Sequence, residues 1–305
     1  MSCPFCLSKK TIFFASKDVH EFSRCLTCKS LFIRKLPSKK SLNKYYERQF
    51  LHADGFINEL IIRTRSKQIL KEIKIKYPFA KTICDVGSGC GFFIDEANKL
   101  GFKVLGIEPS KQLTHTATAN YKVSQFIGSL ETYLKKYNKQ FDVVTCIHVI
   151  EHVTQPEKFI RSLLQLVNEN GVLFLETPNA DSHLVNVEKE KYTFLIPPEH
   201  LWILSKDAIE KLLPKNSQII SISTYSYSEH FMGIMKRIIK KLSLRTKPTH
   251  KKEILTKLLN HNILSKNIWK NLSHLIFDKL LAPLFTGLLN LDHKGSILEL
   301  YINKK

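Results

Sequence analysis

The first residues in the chain that could do chemistry are four cysteines in two pairs, Cys3-x2-Cys6 and Cys25-x2-Cys28. A C-x2-C turn directs two thiolates at one ion, and two such turns complete the tetrahedral coordination that zinc prefers. A segment of about 40 residues is too small to be stable through a hydrophobic core alone, so a metal would supply much of its folding free energy. The spacing predicts a structural zinc site in a ribbon over residues 1–40.

A second group lies around a glycine-rich loop, residues 87–91, which follows an apolar run containing Asp85. A helical stretch comes next, and the following apolar run ends at Glu108. Glycines let a backbone approach a ligand closely, and an acid about 20 residues further on can accept the hydroxyls of a ribose. The order strand, loop, helix, strand and acid predicts a nucleoside-binding unit, and no Lys-Ser/Thr follows the loop as a P-loop requires.

Three titratable residues, His148, Glu151 and His152, follow a later apolar run, and His200 lies in a proline-marked loop. Spacings of three and four would place the first three on one face if the segment were helical. One interpretation makes His152 or His200 a general base near neutral pH. A second makes all four residues ligands of a divalent ion, and a third gives them only a structural role at a helix start.

Alternating strands and helices must hold these groups. The chain has 305 residues, of which 43% are hydrophobic, so it can bury a proper core and is not a disordered polypeptide. We find neither a signal-peptide pattern nor an apolar run of about 18 residues, and we expect a cytoplasmic protein with reduced thiols.

The net charge of +20 is concentrated in two flanks, +8 over residues 1–50 and +10 over residues 231–291. The second flank separates expected strands at 217–225 and 295–303, and its apolar residues recur at helical spacing among lysines and arginines. We expect a basic amphipathic helical insertion over 231–293. It could contact a membrane surface or lipid-linked substrate, cap the pocket, or bind nucleic acid, which we rank last.

Four segments together carry a family resemblance: ICDVGSGCGFF, GIEPS, FDVVTCIHVIEHV and GVLFLETPN. They resemble class I S-adenosylmethionine-dependent methyltransferases. The resemblance implies an α/β fold with a Rossmann-like sheet of seven strands, the last one antiparallel. We expect a zinc ribbon at 1–40, a helical lid at 41–80, a core at 81–230 plus 294–305, and the insertion at 231–293.

The resemblance also implies site residues. It places S-adenosylmethionine against Asp85, Gly87, Ser88, Gly89, Gly91, Ile107, Glu108, Ser129, Leu130, Cys146 and His148. Tyr45 and Tyr46 would lie on a lid near the methyl-transfer site. Ubiquinone-biosynthesis and small-RNA O-methyltransferases carry a metal-binding E-x2-E-H here; this chain matches it at Glu151 and His152 but has His148 in place of the first Glu.

The ribbon and the late P-E-H-L element resemble bacterial methyltransferases of cell-surface glycan and lipid biosynthesis. We therefore expect O-methylation of a glycan, lipid-linked sugar or other small surface precursor, by a protein that is cytoplasmic or peripheral on the inner membrane face. The alternative is an rRNA or tRNA methyltransferase that uses the ribbon and basic flanks to bind RNA. A non-catalytic binding protein ranks last, because the glycine loop and Glu108 are intact.

Overall fold

The computed structural model describes residues 1–38, 40–42, 45, 59–226 and 292–305. Its strands are β1 (Thr11–Lys17), β2 (His20–Cys25), β3 (Leu31–Ile33), β4 (Thr82–Val86), β5 (Lys103–Glu108), β6 (Gln125–Ile127), β7 (Phe141–Ile147), β8 (Val167–Pro178), β9 (Trp202–Ile203), β10 (Ser217–Tyr225) and β11 (Ile297–Lys304). Its helices are α1 (Glu59–Lys76), α2 (Phe92–Lys99), α3 (Lys111–Tyr121), α4 (Leu130–Lys136), α5 (Pro156–Leu166), α6 (His183–Glu188) and α7 (Lys206–Leu212).

The main sheet has seven strands in the order β6-β5-β4-β7-β8-β11-β10. The five strands from β6 to β8 are parallel, and β11 is antiparallel to both of its neighbours. Strands such as β4 and β8 are apolar and almost wholly buried, as expected where helices cover both faces of a parallel sheet. This arrangement confirms the Rossmann-like methyltransferase fold predicted from the sequence, including the antiparallel last strand.

A second sheet has the order β1-β2-β3-β9, with its three pairings antiparallel. Its first three strands belong to the cysteine ribbon, by which we mean residues 1–38. The fourth strand, β9, comes from the segment between β8 and α7, far along the chain. The ribbon and the core therefore share one sheet.

Several helices begin where serine side chains cap them. Ser110 accepts a hydrogen bond from the N–H of Leu113 at the start of α3, and Ser129 does the same for Thr132 in α4. These two caps lie in the loops that follow β5 and β6, at the carboxyl ends of parallel strands, where open α/β sheets bind ligands.

Two of the predictions concern residues that the structure does not describe. Tyr46 and most of the insertion 231–293 lie outside the described residues. Among the described residues, no helix combines the length and apolar character needed to cross a membrane.

Candidate active site

The glycine loop between β4 and α2 forms one wall of a cavity of about 260 Å³. Gly87 adopts a φ of +81°, and a Cβ there would lie 2.3 Å from Val149 Cγ2, so the close packing of two loops requires glycine. Gly89 has a φ of +51°, but a Cβ at this position would meet no atom within 4 Å. Ser88 and Gly89 both line the cavity, so the open side of the loop faces the space where a ligand would lie.

Two buried carboxylates lie beside this loop. Glu108, at the end of β5, accepts hydrogen bonds from the N–H groups of Gly89 (2.9 Å) and Ser110 (2.8 Å), and burial raises its pKa. Asp85 accepts a 2.6 Å hydrogen bond from Thr145 Oγ1. Burial raises the pKa of Asp85 to about 7, and the negative charge of Glu108 adds to the effect.

The opposite wall contains a network of charged side chains. His148 Nδ1 lies 3.1 Å from Glu151 Oε1, and His148 Nε2 lies 3.4 Å from Glu176 Oε1. Arg65 of α1 donates from Nη2 to Glu176 Oε2 at 2.6 Å and is also paired with Glu299 of β11. Arg65, His148 and Glu176 line the cavity, so this network faces the glycine loop.

The network shifts the pKa values of His148, Glu151 and Glu176. Burial alone would lower the pKa of His148, but hydrogen bonds and charges from Glu151 and Glu176 raise it to about 10. Burial alone would raise the pKa of Glu151 and Glu176, yet their cationic neighbours, with His148 prominent among them, lower both to about 2. At neutral pH His148 is therefore a cation, which suits it to electrostatic stabilisation and not to proton abstraction.

The segment around His148 differs from the expected helix. His148 has a φ of +54°, and only Ile150–His152 form a single 3-10 turn. The side chain of His148 consequently points to Glu151 and Glu176, whereas His152 Nδ1 lies 3.0 Å from the backbone oxygen of Glu199. The prediction that the three residues share one helical face is wrong, because the backbone turns sharply at His148.

A second cluster brings together Glu151, His152 and His200, whose ligand atoms all lie within 4.8 Å of one another. The imidazoles of His152 and His200 meet edge to face with ring centroids 4.8 Å apart. His200 Nδ1 lies 2.7 Å from the carbonyl oxygen of Phe194. A carbonyl can only accept a hydrogen bond, so both imidazoles donate from Nδ1, and an imidazole in its neutral form then carries its lone pair on Nε2.

This cluster suits proton acceptance or metal binding. Burial, together with the neighbouring His152, lowers the pKa of His200 to about 4, so its imidazole is neutral at pH 7. Two imidazole nitrogens and one carboxylate are a donor set used by catalytic zinc. The structure groups three of the four expected ligands, and His148 is separate because both of its ring nitrogens face carboxylates.

The four cysteines of the ribbon converge. Sγ atoms of Cys3 and Cys28 are 3.6 Å apart, those of Cys6 and Cys25 are 3.5 Å apart, and all four lie within 4.8 Å. Tetrahedral zinc with bonds of about 2.3 Å would separate its sulfurs by about 3.8 Å. The donor set and its spacing fit zinc.

The remaining predicted residues serve the fold in the described structure. Ile107, Leu130 and Cys146 are buried in the hydrophobic core, and Ser129 caps α4 by accepting from the N–H of Thr132. Gly91, at the start of α2, has a φ of +79°. Contact between these residues and a cofactor stays a prediction.

One further residue near the site was named from the sequence, and two were not. Tyr45 was expected on the lid, and its hydroxyl donates to Glu199 Oε2 at 3.2 Å. Glu176, by contrast, was not predicted. It lies in β8, two residues before the end of the strand, and this position could have identified it as a site residue. Nothing in the local sequence indicates that Arg65 reaches Glu176, because the two are 111 residues apart.

Comparisons with known proteins agree with this geometry. A family model described as a methyltransferase domain matches residues 52–216, more than half of the chain. The ubiquinone biosynthesis O-methyltransferase of Rickettsia typhi is 30% identical over 199 residues, which cover 61% of this chain and 78% of that protein. The enzyme of the same name from Proteus mirabilis is 30% identical over 106 residues, 33% of this chain and 43% of that protein.

In several relatives the region that matches this chain is only part of the protein's length. The chain spans 53% of the corresponding Escherichia coli protein, to which it is 31% identical over 128 residues. A solved structure of an S-adenosylmethionine-dependent methyltransferase from Archaeoglobus fulgidus is similar to this chain, with 18% identity and a TM-score of 0.48. The alignment covers 84% of this chain and 99% of that protein's chain. From the family match over more than half of its length, the chain belongs to the methyltransferase domain family, and its strand order is that of the class I S-adenosylmethionine-dependent methyltransferase fold.

Proposed function

We propose that this methyltransferase transfers the methyl group to a hydroxyl oxygen of a small acceptor, and that the His152–His200 pair manages the proton. The observation that carries the proposal is the geometry of the pair. Both Nδ1 atoms are fixed to backbone carbonyls, and one ligand atom of each imidazole lies within 4.8 Å of the other and of the Glu151 carboxylate. Hydroxyl acceptors are the ones that gain from such a base.

The described residues fit S-adenosylmethionine. Gly89 leaves space for a ligand beside the loop, Glu108 is placed to accept ribose hydroxyls, and Asp85 lines the same cavity. When bound, S-adenosylmethionine supplies an electrophilic methyl group on a sulfonium. The buried Asp85 and Glu108 carboxylates favour a cationic ligand, because each would exchange a solvation penalty for an attractive charge.

The protein's own residues then prepare the acceptor. Nε2 of His152 or His200 accepts the hydroxyl proton, while Glu151 holds the imidazolium that forms. The alternative at the same residues is a divalent ion that lowers the pKa of the hydroxyl. Tyr45 supports the pair indirectly, because Glu199, which binds the Tyr45 hydroxyl, also holds the ring of His152.

For the acceptor we propose a glycan, a lipid-linked sugar or another small cell-surface precursor. Oxygen as the accepting atom is supported by the relatives, which are named as O-methyltransferases. The basic, amphipathic sequence of 231–291 supports contact with an anionic membrane surface, where a lipid-linked substrate resides. We therefore propose a location in the cytoplasm or at the inner membrane face.

The test uses tritiated S-adenosylmethionine with purified protein and fractionated cell extract. We expect label in the glycolipid or sugar fraction, and its loss in a Gly89→Arg variant whose side chain would fill the cavity. His115→Ala, on the exposed side of α3, is the control that should transfer normally. Ribonuclease-sensitive label would contradict the proposed acceptor, and tight cofactor binding without any transfer would contradict the proposed activity.

A further inference from the structure

The cysteine ribbon and the His152–His200 pair are connected through a single short strand. β9 begins two residues after His200 and pairs with β3 of the ribbon, with Leu31 opposite Ile203 and Phe32 opposite Trp202. On its other side, Leu204 bridges to Asn179 at the end of β8 and accepts from the N–H of Ala180. The segment that carries His200 is thus held between the ribbon and the core.

Leu201 makes the connection to the site direct. Its carbonyl accepts a 3.0 Å hydrogen bond from Ile33 of the ribbon, and its N–H donates a 2.9 Å bond to the carbonyl of Glu151. Glu151 belongs to the proton-accepting cluster, and His200 is the residue before Leu201. One residue therefore joins the edge of the ribbon to the 3-10 turn of the active site.

A second connection runs through Trp202. The ring of Phe5, which lies between the paired cysteines Cys3 and Cys6, packs edge to face on Trp202 with centroids 5.4 Å apart. Trp202 Nε1 donates a 2.6 Å hydrogen bond to the carbonyl of Val153, the residue after His152. The first cysteine turn therefore contacts the side chain that supports the His152 backbone.

The second cysteine turn is fixed to the same segment by buried serines. Ser205 donates from Oγ to the carbonyl of Cys28, and its N–H donates to Ser30 Oγ at 2.9 Å. Ser30 in turn accepts the N–H of Cys25 on its carbonyl at 3.0 Å. Both serines are fully buried, so these bonds are shielded from water and costly to break.

We propose that the metal-loaded cysteine ribbon is a positioning element for the acceptor half of the active site. Metal binding at the four cysteines fixes the ribbon, the ribbon holds β9, and β9 sets the separation of His152 and His200. The inference rests on the proposed function, since it assigns the pair to methyl transfer. It gives the ribbon a role inside the enzyme and does not require a nucleic-acid partner.

The physical basis is the small size of the ribbon. Its strands are three to seven residues long, and a segment of this size rarely folds through a hydrophobic core alone, so we expect its fold to depend on metal. Without the metal, β3 would no longer pair with β9, and the loop bearing His200 would lose one of its two supports. The glycine loop has no such dependence, because it follows β4, which pairs with β5 on one side and with β7 on the other in the main sheet.

The primary test compares Cys6→Ala with Cys6→His in the full-length protein. Cys6 is the half-buried member of the four, and zinc accepts imidazole in place of one thiolate. We expect Cys6→Ala to lose zinc and to exchange amide hydrogens of residues 199–205 at least tenfold faster. Exchange in residues 82–91 and the Kd for S-adenosylmethionine should change less than twofold, and Cys6→His should restore both zinc and protection.

A second variant leaves the cysteines intact. Trp202→Phe keeps an aromatic ring against Phe5 but removes the hydrogen bond to Val153, and we expect kcat to fall about tenfold with zinc content and cofactor Kd unchanged. Val19→Ala, at the exposed tip of the β1–β2 hairpin, is the matched ribbon control and should behave as wild type.

Two results would overturn the proposal. One is a zinc-free protein that keeps its protection at 199–205. The other is a loss of protection that extends equally to 82–91, which would mean general unfolding. Because hydrogen exchange needs no acceptor, a wild-type protein that transfers no methyl group would contradict the proposed function and leave this test of the ribbon intact.

Discussion

The two halves of the active site hold buried carboxylates whose pKa values are shifted in opposite directions. On the cofactor side, burial raises the pKa of Asp85 to about 7 and also raises that of Glu108. On the acceptor side, Glu151 and Glu176 are equally buried, yet their pKa values are lowered to about 2. The shifts differ because Asp85 and Glu108 are bonded to neutral donors, whereas Glu151 and Glu176 face His148 and Arg65.

On the acceptor side, cationic side chains of the protein neutralise the buried carboxylates. On the cofactor side, a bound ligand would have to supply the positive charge. The acceptor side has its own cations, so its geometry is fixed by internal ion pairs and removing one partner leaves a buried charge. The cofactor side has two buried carboxylates with neutral partners beside the glycine loop, and Asp85 lines the cavity. This arrangement favours a cationic ligand such as a sulfonium with an ammonium group. Substitutions on the two sides should therefore have different signatures.

The largest expected effect is on the acceptor side. Replacing either His152 or His200 by Ala removes a lone pair that we propose accepts the hydroxyl proton, and general-base catalysis contributes about 10²–10⁴-fold. We expect kcat to fall by this factor while the Kd for S-adenosylmethionine, measured by calorimetry, stays within twofold. An equal loss in both quantities would place the pair on the cofactor side and break the comparison.

The same two variants distinguish a base from a metal. If a divalent ion is bound at Glu151, His152 and His200, then dialysis against a chelator should reduce the wild-type rate, and added metal should restore it. If the imidazoles act directly, the wild-type rate should follow the ionisation of a histidine and be insensitive to chelator at fixed zinc occupancy of the cysteines.

The next effect concerns stability. Arg65→Met leaves Glu176 and Glu299 without their guanidinium partner, and breaking a buried pair on one side costs about 3–5 kcal/mol of the free energy of unfolding. The double variant Arg65→Met/Glu176→Gln should recover part of that loss, because the uncompensated charge is removed. Urea unfolding measures both.

A surface pair serves as the control for Arg65. Arg161 and Glu157 are both about half exposed, and Arg161→Met should cost less than about 1 kcal/mol. If Arg65→Met were equally mild, the acceptor side would not depend on internal ion pairs.

The same contrast explains which parts of the molecule could be predicted from the sequence. The cofactor side is built from adjacent segments, so the glycine loop and Glu108 could be recognised from their order and spacing. The acceptor side joins residues from α1, the 3-10 turn, β8, the segment before β9 and β11, and its partners are far apart in the chain, as in the ion pair between Arg65 and Glu299. Local patterns contain no signal for such pairings, and the helical periodicity around His148 gave a wrong geometry because a left-handed residue interrupts it.

A pH effect sharpens the comparison on the cofactor side. Below about pH 4 Asp85 is protonated in both the folded and unfolded states. As the pH rises towards 7 the unfolded chain ionises first, so the folded state loses stability at up to ~1.4 kcal/mol per pH unit. Asp85→Asn keeps the oxygen that accepts from Thr145 but lacks this penalty.

The free energy of unfolding of the wild type relative to Asp85→Asn should therefore decrease between pH 4 and 7 and level off above. Urea titrations at several pH values measure this difference. A constant difference over that window would show that Asp85 has an ordinary pKa, and the two sides would then be electrostatically alike. Glu151 and Glu176 should act in the opposite direction, with stability lost as the pH falls below about 4.

The smallest effect, and the one that tests the ligand's part most directly, is expected for Glu108→Gln. Charged hydrogen bonds are worth about 1.5–3 kcal/mol, and ribose hydroxyls would lose their carboxylate acceptor. The Kd for S-adenosylmethionine should therefore rise about 10–100-fold. Stability should change by less than about 1 kcal/mol, because one of the bonds to Gly89 and Ser110 is retained and a desolvated charge is removed. Arg65→Met should do the reverse, with a large loss of stability and a small change in Kd. If Glu108→Gln instead destabilised the fold and left the Kd unchanged, the carboxylate of Glu108 would serve only to hold the glycine loop in place. The proposed difference between the cofactor side and the acceptor side would then not apply to Glu108.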